Sequence, residues 1–171
     1  INTHGLDLWQ EKLKQVTFHN KLGNQFERVA RITYLSAAIA KKIGCDPNLA
    51  KSAASISKSD LSSEMVYEFP ELQGVIGTYY AVEAGFEKNI ADVCKEHYAP
   101  LGPSDEVPSS PISIVVALAD KIDTLTCFWS INEKPTGSKD PFALRRSALG
   151  LIRIIIENDI RISLSNILAL G

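Results

Sequence analysis

The stretch from Leu22 to Gly44 constrains the fold more than any other part of the chain. Leu22, Phe26, Val29, Thr33, Ala40 and Ile43 recur at three- and four-residue steps, with Ile32, Leu35 and Ile39 alongside. That spacing predicts a long helix with a broad buried stripe, ending near Gly44. Asp46-Pro47 then restarts the chain, with Asp as N-cap and Pro at the first helical position, where its missing N–H costs nothing. The same signal returns as Ser110-Pro111 and Asp140-Pro141, each before an apolar periodic run. Pro70 is expected to open a helix through Tyr80 to Ala84, and Glu87 to Tyr98 reads as a shorter amphipathic segment. Leu101 to Pro108 and Asn132 to Lys139 are loops, and Ser163 to Leu170 reads like a helix just beginning. No alternating strand pattern with hairpin turns, internal repeat or low-complexity tract is visible. The expectation is an all-α fold, a compact multi-helix bundle of about six to eight helices.

Composition excludes several classes. With 171 residues, 45% apolar and 22% charged, one soluble globular domain is expected, burying roughly 70% of its unfolded surface. No apolar run approaches the ~20 residues of a membrane helix; the most apolar, Leu149 to Ile156, is interrupted by Arg153. A net charge of −2 argues against a uniformly positive nucleic-acid binder but allows a local basic patch. Cys45, Cys94 and Cys127 are far apart, with no CxxC or Cys/His ligand spacing, which fits a reducing cytosol better than a disulfide or zinc site. The chain opens at Ile1 without an initiator Met or targeting segment, and it is expected to be a piece of a longer protein.

No GxGxxG, GxxxxGK[ST] or GxSxG occurs, and Thr136-Gly-Ser-Lys139 lacks the strand a phosphate loop needs. No catalytic residue is assigned. His97 beside Tyr98 offers an acid–base pair, yet its place at the end of an amphipathic helix suits a capping or core-edge residue better. The candidate binding residues are Lys139, Arg145, Arg146 and Arg153. Arg146 and Arg153 lie two turns apart on one helical face, with Arg145 flanking and Lys139 preceding the Asp140-Pro141 cap. Guanidinium forks suit bidentate phosphate contacts, and a helix N-terminus adds free N–H donors. The alternative is that Arg145 and Arg146 pair with Asp140 or nearby Glu side chains, or fasten the domain to another. In Glu68-Phe-Pro-Glu-Leu-Gln-Gly74, the simplest reading is a helix junction: Phe69 and Leu72 buried, Gly74 and Gly77 allowing close approach.

Several strings together resemble the beta-subunit family of the heterotetrameric bacterial glycyl-tRNA synthetases. They are Phe18-His-Asn-Lys-Leu-Gly23 leading into Arg28-Val-Ala-Arg-Ile32; Lys58-Ser-Asp-Leu61 with Glu64-Met-Val66, Glu68 to Gly74 and Tyr79-Tyr-Ala81; Glu96-His-Tyr98; Ala117-Leu-Ala-Asp-Lys-Ile-Asp-Thr-Leu125; and Pro135-Thr-Gly-Ser-Lys-Asp-Pro-Phe-Ala-Leu-Arg-Arg146. They follow the family's order and cover nearly the whole chain. The resemblance implies an ATP- and Mg-dependent enzyme of two alpha and two beta subunits that attaches glycine to its tRNA in the cytoplasm. The alpha subunit then carries the catalytic core, and the beta subunit serves RNA binding and assembly. Residues 1–171 would form one helical, HD-like domain of a longer multidomain subunit, inactive alone and without a cofactor of its own. The implied partners are the alpha subunit, other beta-subunit domains and glycine tRNA, with no membrane.

HD phosphohydrolases hold one or two metal ions with a His, an adjacent His-Asp pair and a later Asp, and the metal activates a water for attack on phosphate. By resemblance those positions fall on Gln25, Ser57, Lys58 and Asp120, the first on a helix about a turn longer than the HD pattern. Only Asp120 is a competent ligand; Lys58 places an ammonium where a divalent cation would sit. The expectation is a vestigial site whose Lys58 ammonium lies within about 4 Å of Asp120. Three functions are therefore weighed: a non-catalytic tRNA-binding and structural domain, an HD-type metal-dependent phosphohydrolase, and a pure subunit-assembly module.

Overall fold

The computed structural model describes the backbone of residues 4–171 and side chains from residue 6 onward. Helix α1 (His4–Lys12) runs through a 3-10 turn at Leu13–Gln15 into a small antiparallel hairpin, β1 (Thr17–His19) and β2 (Gly23–Asn24). The sequence predicts no strand here. Elements of two and three residues are too short to show a period of two, and the turn depends on Gly23 at φ +84°.

Helix α2 (Gln25–Ile43) begins three residues later than its apolar periodicity suggests, because Asn24 forms a capping box. Its side chain accepts from Glu27 N at 3.0 Å, and Glu27 accepts from Asn24 N at 2.9 Å. The helix stops as expected at Gly44, left-handed at φ +77°, whose N–H reaches Ala40 O. Helix α3 (Pro47–Ile56) starts where Asp46-Pro47 places it, with the Asp46 carboxylate accepting from Asn48 N at 2.7 Å.

The middle of the chain is more broken than its sequence suggests. After α4 (Glu64–Glu68), Pro70–Leu72 is only a 3-10 turn, and α5 (Val75–Glu83) starts anew after Gly74. Gly74 has φ +81°, and its N–H goes to the Asp60 carboxylate at 2.6 Å instead of continuing a helix from Pro70. The 87–98 segment divides into α6 (Lys88–Ala91) and α7 (Val93–Glu96). Phe69, expected inside, is 46% exposed, and Leu72 is half-buried. The close approach at the glycines is real: a Cβ on Gly74 would stand 2.8 Å from Cys94 O, and one on Gly77 3.0 Å from the Asp60 carboxyl.

Helix α8 (Pro111–Ser130) follows its Pro signal. Helix α9 (Leu144–Glu157) starts later than Asp140-Pro141 indicates. Ala143 takes a left-handed conformation, φ +54°, and Asp140 reaches past it to accept from Leu144 N and Arg145 N at 2.8 and 2.9 Å. Helix α10 (Leu164–Leu168) ends the described fold. The architecture is the all-α bundle expected, with the hairpin as its exception. Helix α2 packs on α3 and α8, and α9 covers another side of α8.

Every residue of α8 from Ile112 to Thr124 is buried. A helix enclosed on all sides is normally apolar throughout, and most of this one is. Removing part of Leu118 or Ile122, both fully buried, would cost about 2–5 kcal/mol. Asp120, Lys121 and Asp123 break that rule, and they locate the site.

Candidate functional site

Asp120 is 7% exposed, so its charge requires compensation from neighbouring elements. Lys58 supplies it from the end of α3. That side chain is 1% exposed, and its ammonium lies 2.9 Å from Asp120 Oδ1, the juxtaposition expected from the sequence. It also lies 2.9 Å from His97 Nε2 and 4.4 Å from the Tyr98 ring centroid. His97 Nδ1–H donates to Val93 O at 2.7 Å. That bond fixes the tautomer and leaves the Nε2 lone pair to accept from Lys58. His97 is the C-cap of α7, as its position suggests, but it is fully buried and not at the edge of the core.

Arg28 of α2 completes the cluster. Its Nη2 donates to Asp120 Oδ1 at 3.0 Å and Thr124 Oγ1 at 2.8 Å, and its Nε lies 3.4 Å from Asp123 Oδ2. Arg31, one turn on, donates to Asp123 Oδ1 at 2.6 Å. Phe18 of the hairpin lies beneath Arg28, ring centroid 4.1 Å from Cζ, a cation–π arrangement. Lys121 donates to the carbonyls of Ala99 and Tyr98 at 2.9 and 3.3 Å. Gly150 of α9 admits its stem, since a Cβ there would stand 2.7 Å from Lys121 Cε.

The cluster's electrostatics are asymmetric. Burial pushes the Asp120 carboxyl up, but Lys58 and then Arg28 overcome it and hold the group well below the usual carboxylate range. Burial pulls the Lys58 ammonium down to about 8, and Asp120 recovers only part of the loss because Arg28 repels it. Burial, then Lys58, push His97 well below its ordinary value, so the imidazole stays neutral.

Of the four positions assigned by resemblance, only Lys58 and Asp120 come together. Gln25 makes no hydrogen bond with either, and its Oε1 is buried without a hydrogen-bond partner among the described residues. Arg28, one turn further along α2, reaches Asp120 instead. The Ser57 hydroxyl turns back to Ala54 O at 2.8 Å. No three His, Cys, Asp or Glu side chains converge to hold a metal among the described residues. Asp120, the one competent ligand, already faces an ammonium and a guanidinium, so the donor set does not suit a divalent cation.

The cluster forms the floor of a cleft of about 370 Å³ between the hairpin, α8 and the start of α9. Phe128 and Phe142 stack in its wall with centroids 4.2 Å apart, and Arg146 stands at its edge. Arg145 and Arg146 are exposed, and their side chains have no ion-pair or hydrogen-bond partner among the described residues. The anticipated pairing with Asp140 does not form, because that carboxylate caps the backbone of α9. Lys139 is exposed, its backbone bridged to Thr136. Arg153 is committed elsewhere: it donates to Gly102 O at 3.1 Å, Asp105 O at 2.8 Å and Glu157 at 2.8 Å, holding the 101–108 loop on α9.

The sequence does not single out Arg28, Arg31, Lys121 and Asp123, and it favours a capping or core-edge role for His97 over this one. One signal was present: Asp120, Asp123 and Thr124 occur at i, i+3 and i+4, and so share one helical face. Cys45, Cys94 and Cys127 are free thiols, and no described helix is long and apolar enough to cross a membrane.

A family model described as glycyl-tRNA synthetase beta subunit matches residues 2–170. Among curated proteins, the chain is 62% identical over 162 residues to the glycine–tRNA ligase beta subunit of Dinoroseobacter shibae, covering 95% of this chain and 22% of that protein. It is 59% identical over 165 residues to the same subunit of Ruegeria sp., covering 96% of this chain and 24% of the relative. With that of Cereibacter sphaeroides the identity is 58% over 168 residues, covering 98% and 24%. The chain therefore spans less than a quarter of the length of these relatives.

Proposed function

The chain belongs to the glycyl-tRNA synthetase beta subunit family, and from that membership we propose that it is a non-catalytic domain of a glycine–tRNA ligase, helping to place tRNA and to hold its subunit together. In this reading the whole enzyme is cytoplasmic and uses ATP and Mg, the alpha subunit and glycine tRNA are its partners, and the domain works beside other beta-subunit domains. The observation that carries the RNA role is the pair Arg145 and Arg146. They are exposed at the start of α9 with no side-chain partner among the described residues, while nearby Arg153 is fully engaged. Charge spent inside the fold is unavailable to phosphate; these two guanidinium groups remain available for bidentate contacts. Lys139 extends the same exposed surface. The assembly role is supported by Leu149, Ile152 and Ile156, which leave a row of exposed apolar side chains on α9.

The pairing of Lys58 with Asp120 supports descent from an HD-type metal site in which an ammonium replaced the ion. The phosphohydrolase alternative finds no support in this donor set. The test is a salt titration of tRNA binding. Arg146→Ala is expected to weaken affinity and reduce the slope of log K against log salt by about one. An unchanged slope with lower thermal stability would leave only the assembly role.

A further inference from the structure

The cleft above Lys58 holds more positive charge than the fold itself uses. Arg28, Lys58, Lys121 and Arg146 line it, against Asp120 on the wall and Asp123 behind Arg28. Four cations face two carboxylates, and Asp123 is also held by Arg31 at 2.6 Å, so the surplus is at least two positive charges. Hydrogen-bond donors are in surplus as well. Lys58 has three N–H groups, and hydrogen-bond partners account for two, Asp120 and His97. Lys121 likewise spends two, on Ala99 and Tyr98. Arg28 Nη1 and the Arg146 guanidinium have no partner among the described residues. Lys58 is 1% exposed, yet it lines the cleft, and its ammonium, also 4.4 Å from the Tyr98 ring centroid, offers the floor chiefly its charge. Above this floor the walls are aromatic. Phe18 lies under Arg28, and Phe128 and Phe142 stack at 4.2 Å with their planes 23° apart. The volume, about 370 Å³, lies in the range of small-ligand sites, roughly 300–1,000 Å³.

We propose that this cleft is a receptor for the 5′-phosphate monoester of a nucleotide, with the phosphate on the cations of the floor and the base against Phe128 and Phe142. A phosphate monoester carries about −1.5 to −2 charges near neutral pH and three strong acceptor oxygens, which matches both surpluses. An internal phosphodiester carries about one charge per phosphate and matches neither. An aromatic wall receives any base, because every base has a π-face. Two sources present this chemistry, a free mononucleotide and the 5′-phosphorylated end of an RNA. The inference shares Arg146 with the RNA contact proposed above but does not rest on it, because Lys58 and Phe142 take no part in that contact and Arg145 and Lys139 do not line the cleft.

The test uses the intact protein that contains this chain, titrated with AMP, GMP, CMP and UMP, with adenosine, with inorganic phosphate, and with a short single-stranded RNA bearing either a 5′-phosphate or a 5′-hydroxyl. Phosphorus NMR and calorimetry report binding. The expected result is saturable binding of mononucleotides or of the 5′-phosphorylated RNA, tighter by about tenfold or more than inorganic phosphate, and none of adenosine. Lys58→Gln abolishes it. Because that variant can fail to fold, Phe142→Ala and Arg146→Ala supply the second arm. The first should weaken nucleotide binding while leaving inorganic phosphate unaffected, and the second should weaken both. Tighter binding of 5′-phosphorylated than 5′-hydroxyl RNA, with mononucleotides inert, assigns the RNA end; the reverse assigns the free nucleotide. Absence of saturable binding of any phosphorylated probe below about 1 mM would overturn the proposal. So would RNA binding that ignores the 5′ group with mononucleotides inert, although the RNA role of Arg145 and Arg146 would survive that result.

Discussion

Replacing Lys58 with Met tests the buried cluster most directly. The substitution keeps an unbranched apolar stem and removes the ammonium, which Asp120 Oδ1 and His97 Nε2 share at 2.9 Å each. Asp120 is then left with Arg28 at 3.0 Å, and the buried His97 Nε2 loses its donor. Breaking a buried ion pair from one side costs about 3–5 kcal/mol, and Arg28 places the loss near the lower end. The orphaned imidazole nitrogen adds about 1–3 kcal/mol. Methionine also escapes the burial penalty that brings the Lys58 ammonium down to about 8, which offsets part of the sum. The net expectation is a loss of about 3 kcal/mol. In equilibrium urea unfolding at pH 7, with m of about 1–3 kcal/mol/M, the midpoint should fall by about 1–3 M at unchanged m. Lys42 is exposed, and Lys42→Met should stay within about 0.5 kcal/mol of the parent. Lys58→Met within that same margin would refute the argument. A double variant, Lys58→Met with Asp120→Leu, should be less destabilised than the sum of its single changes; strict additivity would show that the two charges do not interact.

Acid should act through His97 before it acts through Asp120. The unfolded chain takes up a proton near pH 6.5 that the buried imidazole refuses, so stability falls below that pH by up to about 1.4 kcal/mol per unit. The Asp120 carboxyl, held below its usual range, withdraws a further contribution below about pH 4. Urea unfolding at pH 7.5 and 5.5 checks the first step, and an equal slope in His97→Gln would contradict it. Gly74→Ala forces a side chain onto φ +81° and toward backbone atoms of Cys94 and Lys95 at 2.8 and 3.0 Å. The expected cost is about 2 kcal/mol or more, or a Tm lower by roughly 4–8 °C; an unchanged Tm in calorimetry would show that the junction yields.

The parts of the fold legible in the sequence are those governed by neighbouring residues. Gly44 ending α2, Asp46-Pro47 starting α3 and Pro111 starting α8 act within one turn of the chain. The capping box of Asn24 and Glu27 was equally local and would have corrected the start of α2. The structure departs from the sequence pattern where distant residues decide. Pro70 does not begin a long helix because the Gly74 N–H is taken by Asp60, 14 positions earlier. Likewise, the Asp140-Pro141 signal is displaced by the left-handed turn at Ala143. In the candidate site, Lys58 and Asp120 were found through the resemblance, each being an odd residue at a family position. The contacts of Arg28 with Asp120 and of His97 with Lys58 are not legible there, since they span 92 and 39 positions and no periodicity reports such a meeting. The aromatic wall is hidden for the same reason, as Phe18 lies on β1, Phe128 on α8 and Phe142 in the turn before α9.

Arg153 and Lys121 perform one task at two ends of a segment. Lys121 grips the carbonyls of Tyr98 and Ala99, and Arg153 those of Gly102 and Asp105. Between them lie Pro100 and Leu101, which form one lip of the cleft. A loop left to itself samples many shapes and must surrender that freedom when it closes on something. This one is pinned on both sides by cations, so its freedom was given up when the chain folded. Whatever enters the cleft meets a rim already in place, and little ordering remains to oppose binding. Substitutions on the cleft walls should therefore act chiefly on how fast an occupant leaves, and much less on how fast it arrives.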